Sequence, residues 1–214
     1  MRKDILITAG PVFVRLDDIR VISNISTGST GCEIAERFSK KARVTLLLGP
    51  GRAFPKKHKA LTVKRFVYFE ELRKLLRSEL VTHKYKAVIH TAAVSDYQPV
   101  KVRKGKIPSG RKKMTVAFKP LPKIIKDVKK VDNSVFLVQF KLEAGLNKSK
   151  LIGKAFKNME ENKADLAVAN DLFRIKGDKH LFYILSRDKK VYKAGTKKEL
   201  AEKLAAIFEK GNII

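Results

Sequence analysis

Ile5-Leu6-Ile7-Thr8-Ala9-Gly10-Pro11 decides the fold. Its apolar residues run together and end on small residues and a Gly-Pro turn. That predicts a strand buried on both faces, as in parallel sheets. The run, entered from Met1-Arg2-Lys3-Asp4, is too short for the core of a signal peptide. Working outward, apolar runs alternate with amphipathic stretches. Residues 28–41 read as a helix with Cys32, Ile34, Ala35 and Phe38 on one face, and 44–48 as a second strand closed by Gly49-Pro50-Gly51. A third strand is expected at 61–66. A helix follows at 68–81, striped by Leu72, Leu75, Leu76 and Leu80. Strand 87–90 runs into Thr91-Ala92-Ala93. Helix 121–130, strand 135–140, helix 149–161 and strand 166–169 follow, the last ending at Asn170-Asp171. A late hairpin is expected from 181–185 and 191–192. Helix 197–210 then turns Leu200, Leu204, Ile207 and Phe208 inward. The alternation predicts an α/β fold in three layers, a mostly parallel sheet with helices on both faces and a loop or hairpin arm. Ligands of such sheets gather at the carboxyl ends of strands, where Thr8-Ala9-Gly10, Ala92-Ala93, Phe140 and Asn170-Asp171 fall.

The 214 residues suit one domain spanning 1–214, interrupted by a basic flap at about 99–118 that breaks the strand–helix rhythm. The flap carries Lys101, Arg103, Lys104, Lys106, Arg111, Lys112 and Lys113 around Gly105, Pro108 and Gly110. No apolar run is long enough to span a bilayer. Cys32 is the only cysteine, which excludes an internal disulfide and suits a cytoplasmic protein. The formal net charge is +27, from 48 basic against 21 acidic residues. This excess favours anionic partners, and a thermophile's matched ion pairs do not explain it.

Several motifs admit two readings. Ser23-Asn24-Ile25-Ser26-Thr27-Gly28-Ser29-Thr30-Gly31 enters a helix, so it binds phosphate on free amides or is simply capped by Ser26 or Thr27. It is neither a Walker A loop nor a strict Gly-x-Gly-x-x-Gly. Ala92-Ala93-Val94-Ser95-Asp96-Tyr97 leaves room for a ligand beside backbone, with Asp96 as a polar partner or a turn cap. Lys106 covers developing phosphoryl charge or belongs to a solvated run. Phe140 stacks on a base or packs in the core, and Asn170 reads a base edge or makes a tight turn. His58, His83, His90 and His180 form no cluster in sequence, so no zinc site is expected.

Taken in order, Ile7-Thr8-Ala9-Gly10-Pro11, Arg20-Val21-Ile22-Ser23-Asn24, Ser26-Thr27-Gly28 with Gly31, Val44-Thr45-Leu46 then Gly49-Pro50, Ala92-Ala93-Val94-Ser95-Asp96-Tyr97, Lys106-Ile107 and Val168-Ala169-Asn170-Asp171 resemble phosphopantothenoylcysteine synthetase. The similarity runs from Ile5 to the C-terminal helix and rests on the order and spacing of the pieces. Many bacteria carry this domain behind a flavin-dependent decarboxylase. With none ahead of Met1, the sequence resembles the freestanding form. The resemblance implies a Rossmann-like sheet, a homodimer, and a ligase that joins 4′-phosphopantothenate to L-cysteine through an acyl-nucleotidylate in coenzyme A biosynthesis. A nucleoside triphosphate and Mg2+ would be needed, the metal arriving with the nucleotide rather than at a fixed protein site. It further implies that Gly10, Ser26, Gly28 and Gly31 cradle the triphosphate, and that Phe140 and Asn170 hold the nucleoside. Asn24, Ala92, Ala93 and Asp96 hold phosphopantothenate or the acyl intermediate. Arg20 reaches substrate across the dimer interface, and Lys106 steadies the acyl-nucleotidylate, so that Lys106, Asn24 and Asp96 form the catalytic set.

The sequence departs from the bacterial pattern in three places. Lys106-Ile107-Pro108-Ser109-Gly110 stands for Lys-Ile-Lys-Lys, and Gln139-Phe140-Lys141-Leu142-Glu143-Ala144 for Gly-Phe-Ala-Ala-Glu-Thr. Asn158 and Asn162 stand where CTP-using members bring two lysines, which tilts the expectation towards ATP, although Lys157 and Lys163 lie nearby. Two other classes fit the residues less well. A basic nucleic-acid-binding protein wants aromatic platforms, and the loop 100–113 has none. A dinucleotide-dependent oxidoreductase wants an acidic residue ending strand two, where Gly49-Pro50 stands.

Overall fold

The computed structural model describes residues 4–110 and 112–214; Met1, Arg2, Lys3 and Arg111 of the basic flap lie outside the described residues. In chain order the elements are β1 (Asp4–Ala9), β2 (Val14–Arg15), β3 (Val21–Ile22), α1 (Ser29–Ser39), β4 (Arg43–Leu48), β5 (Leu61–Arg65), α2 (Phe69–Thr82), β6 (Ala87–His90), β7 (Tyr97–Pro99) and β8 (Phe118–Pro120). They continue with α3 (Ile124–Val131), β9 (Phe136–Glu143), α4 (Lys148–Glu161), β10 (Leu166–Lys176), β11 (Lys179–Ser186), β12 (Val191–Ala194) and α5 (Lys197–Lys210). An eight-stranded sheet has the order β12-β11-β10-β9-β6-β1-β4-β5. The strands from β10 to β5 are mutually parallel; β11 and β12 return antiparallel as the expected hairpin.

The apolar runs decide the layers. Along β1, Ile5, Ile7 and Ala9 face one side, where Ile34, Ala35 and Phe38 of α1 and Leu200, Leu204 and Phe208 of α5 cover them. Leu6 faces the other side with Leu47, Val88 and Leu137, under Leu72 and Leu76 of α2, Val128 of α3 and Leu151 of α4. Burial on both faces is why these strands read as unbroken apolar runs. Phe208 sits edge-on to Phe38 and to Phe136, with centroids 5.0 and 5.2 Å apart, which locks α5 to α1 and to β9.

Some boundaries differ from the sequence reading. The helix expected at 121–130 begins at Ile124, because Pro122 biases Leu121 to extended backbone. Strand β10 runs on to Lys176, pairing with β11 after a register shift between Asn170 and Ile175. In α2, Leu75 is only half-buried while Glu79 is buried. The Glu79 carboxylate is satisfied by the Tyr85 hydroxyl at 2.6 Å and Lys64 Nζ at 2.5 Å. Two short antiparallel ribbons, β2/β3 and β7/β8, had no sequence signal, and the second is the stem of the basic flap.

Candidate active site

The chain leaves β1 towards β4 and β5, then crosses back to place β6 on the other side of β1. That reversal opens a crevice at the carboxyl ends of β1 and β6, the usual ligand position in such sheets. Its walls are laced together past the strand ends. Thr91 N–H donates to Thr8 O, Ala93 N–H to Gly10 O and Val12 N–H to Ala93 O. Beneath lies a polar pair, the Thr8 hydroxyl and His90 Nδ1, 2.8 Å apart. The Thr8 oxygen also accepts Ala92 N–H at 3.3 Å. Burial pushes the His90 pKa down to about 4, so the ring is neutral at physiological pH.

Four glycines let three loops meet at the crevice, and a fifth seats the helix beside it. Gly10 and Gly28 have φ of 86° and 81°. A Cβ on Gly28 would lie 3.3 Å from Gly10 Cα, and one on Gly10 3.2 Å from Gly49 Cα. On Gly49 it would lie 2.2 Å from Pro11 O, and on Gly51 2.3 Å from Thr27 O. Gly31 is buried one turn into α1, where a Cβ would come within 2.3 Å of Ala9 Cβ; it seats the helix on β1 rather than lining the mouth. The N-cap of α1 is Gly28, which has no side chain to cap with; Thr27 Oγ1 accepts Ser29 N–H and Ser26 Oγ accepts Gly28 N–H. The first-turn amides of α1 therefore stand beside the end of β1, a favourable place for an anion.

The other predicted residues divide into three groups. Asn24 lies on the loop entering α1 and donates from Nδ2 to Val94 O at 3.0 Å, which brings it beside Ala92 and Ala93. Asp96, on the same loop as Val94, is exposed and ion-paired with Lys123, a residue the sequence reading had not singled out. Phe140 and Asn170 lie further along the sheet, on β9 and β10, with Phe140 the register partner of Val168. Asn170 is buried, its Nδ2 2.7 Å from His180 Nε2, and His180 stacks on Phe182 at 3.9 Å. Burial, helped by the charge of Lys197, lowers the His180 pKa to about 4, and its Nδ1 has no partner among the described residues. Asp171 is buried too; burial raises its pKa, but the amides of Leu146, Phe173 and Gly145 prevail and hold it below the usual range.

Arg20 and Lys106 belong to the arm. Arg20 Nη1 pairs with Asp17 at 3.1 Å and Nη2 donates to Ile107 O at 3.1 Å. Asp17 is buried and also accepts Ile107 N–H, which is the main reason its pKa falls to about 2; burial opposes this, and the Ile19 and Arg20 amides and the Arg20 charge assist it. Lys106 itself is exposed. Among the described residues no three His, Cys, Asp or Glu side chains stand together as a metal site, and no helix is long and apolar enough to cross a membrane.

A doubly wound sheet with a crevice at its switch point and a helix N-terminus at the mouth defines a Rossmann-like α/β protein. The chain belongs to the family of the DNA/pantothenate metabolism flavoprotein C-terminal domain, whose model matches residues 1–210. It is 37% identical over 211 residues to the coenzyme A biosynthesis bifunctional protein CoaBC of Thermococcus kodakarensis, covering 97% of this chain and 51% of that protein. To CoaBC of Methanocaldococcus jannaschii it is 29% identical over 212 residues, covering 96% and 50%. The chain thus spans about half the length of these curated relatives. The crystal structure of the DNA/pantothenate metabolism flavoprotein from Streptococcus pneumoniae is similar with TM-score 0.89 at 30% identity, over 98% of this chain and 99% of that one.

Proposed function

We propose that this chain joins 4′-phosphopantothenate to L-cysteine in coenzyme A biosynthesis, as a cytoplasmic homodimer that consumes a nucleoside triphosphate. The observation that carries the reading is the convergence of the α1 amides, the Asn24 loop and the Ala92–Ala93 wall at the switch point. Membership of the family and similarity to a coenzyme A biosynthesis protein support it.

In this mechanism the amides at the start of α1, opened by Gly10, Ser26 and Gly28 and seated by Gly31, hold the phosphates. Mg2+ would be held by those phosphates and would neutralise part of their charge. Phe140 and Asn170 hold the nucleoside; Asn24, Ala92, Ala93 and Asp96 align phosphopantothenate, and Arg20 reaches the partner's substrate. A carboxylate oxygen bonds to the α-phosphorus as the bond to pyrophosphate breaks. Lys106 offsets the charge that gathers there. The cysteine amine then bonds to the acyl carbon and loses a proton, while the nucleoside monophosphate departs with the former carboxylate oxygen.

ATP is the favoured nucleotide. Asn162 donates to Gln139 Oε1 at 2.9 Å and Asn158 to Glu161 at 3.4 Å, so both amides are engaged within the protein. Neither supplies the cation of the CTP-using pattern. Pyrophosphate release with ATP or CTP, with and without phosphopantothenate and cysteine, tests the reading. Release should need phosphopantothenate, run at least as fast with ATP, and fall about 100-fold or more in Lys106→Ala. Release that ignores phosphopantothenate would refute the ligase, and a CTP preference above about tenfold would refute the nucleotide assignment.

A further inference from the structure

We propose that Asp17 is a positioning residue that sets the place of Lys106 by clamping Ile107 on one side of it, with Asp18 holding Gly105 on the other; this rests on the catalytic reading of Lys106. The clamp joins residues 90 positions apart. Asp17 Oδ2 accepts Ile107 N–H at 3.0 Å, and Arg20, held by the same carboxylate oxygen, donates to Ile107 O at 3.1 Å. On the other side of Lys106, Asp18 Oδ2 accepts Gly105 N–H at 2.6 Å. Arg103 N–H donates to Leu16 O, and Asp17 and Arg103 form a parallel β-bridge. Ile107 is buried although its neighbours in the flap are exposed.

The arrangement is specific to a carboxylate. Oδ1 of Asp17 accepts the amides of Ile19 and Arg20, at 2.9 and 2.6 Å, which fixes the side chain's orientation. Oδ2 is then turned to the flap and receives only donors, Ile107 N–H and the Arg20 guanidinium. In Asp17→Asn an amide NH2 must face donors on one side or the other, so the shape is kept and the clamp is lost. Asp17 is fully covered by protein and need not touch substrate. Its effect on turnover passes through the position of Lys106, where a shift of about 1 Å is worth roughly 100-fold.

A double-mutant cycle reads this directly. Initial rates of pyrophosphate release are measured for wild type, Asp17→Asn, Lys106→Ala and the double variant, with folding checked by thermal melting. We expect Asp17→Asn to lower kcat about ten- to hundred-fold with KM for ATP within about twofold. In the Lys106→Ala background the same change should have almost no further effect. Losses that multiply, or a near wild-type kcat in Asp17→Asn, would overturn the clamp while leaving the ligase reading intact. Should Asp17→Asn not fold, Asp18→Ala takes its place in the cycle, because Asp18 is exposed and holds Gly105 alone. A loss abolished by Lys106→Ala supports the clamp, and an unchanged kcat overturns it. Full activity of Lys106→Ala by itself would instead remove the catalytic reading on which the clamp depends.

Discussion

His90 and Asn24 illustrate how single residues are held at the crevice. Buried His90 has a folded-state pKa near 4, well below the roughly 6.5 of an exposed imidazole. The unfolded chain therefore takes up its proton first as pH falls. The stabilisation is complete above about pH 6.5 and is lost progressively down to 4, amounting to roughly 3 kcal/mol. Denaturant titrations at several pH values should show this slope together with the similar one from His180, and His90→Gln, which does not titrate, should reduce it by about half. An equal slope in the variant would mean that another group carries the acid sensitivity. Asn24 invites a different experiment. Its Nδ2–H bond to Val94 O becomes an oxygen-to-oxygen contact in Asn24→Asp, and the new charge lies where an anionic substrate is expected. The variant should fold, since Asn24 is exposed, yet bind phosphopantothenate at least about tenfold more weakly by calorimetry. Unchanged affinity would remove Asn24 from the site.

At the level of elements, the seating of α1 on β1 makes the sharpest demand. A methyl group at Gly31 would lie 2.3 Å from Ala9 Cβ at the end of β1 and 2.6 Å from Thr91 Oγ1 just past the end of β6. Gly31→Ala should lift the helix and cost about 1–3 kcal/mol, seen as a lower urea midpoint with unchanged slope. Gly153→Ala in α4 is the control: nothing among the described residues lies within 4 Å of the added methyl, and about 0.4–1 kcal/mol of stabilisation is expected. Equal effects of the two would contradict the packing account. These elements also mark the limits of reading a sequence. Strands β1, β4 and β6 were legible because burial on both faces demands unbroken apolar runs. Helices α1 and α5 were legible from their stripes. The ribbons β2/β3 and β7/β8 are two or three residues per strand, too short for any periodicity. Gly49 could be noticed, but its contact with Pro11 O joins distant loops and has no local signature. The Asp17 clamp was invisible because it grips backbone atoms, which every residue offers alike. The Asn170–His180 pair needs the β10/β11 register, which the bulge after Asn170 disguises.

For the whole molecule, the excess of cations is the property with the longest reach. A charge of +27 steers anions over distances of about 10 Å at moderate salt, and both of the proposed substrates, the triphosphate and phosphopantothenate, are anions. Raising salt from about 0.05 to about 0.5 M should lower kcat/KM fivefold or more while kcat changes less than twofold. Equal losses in both would show that salt acts on the chemistry rather than on encounter. The same charge guards the rim of the sheet, where edge strand β5 carries Lys64 and Arg65 and so discourages pairing with another chain. The switch point has a consequence for synthesis as well. Strand β1 leaves the ribosome before either neighbour, its contact with β4 spanning 39 residues and that with β6 spanning 82. At about 5–20 residues per second, the strand that becomes the middle of the sheet waits roughly 4–16 s for its second partner. During that interval its apolar side chains lack one of the two neighbours that cover them and are open to chaperones.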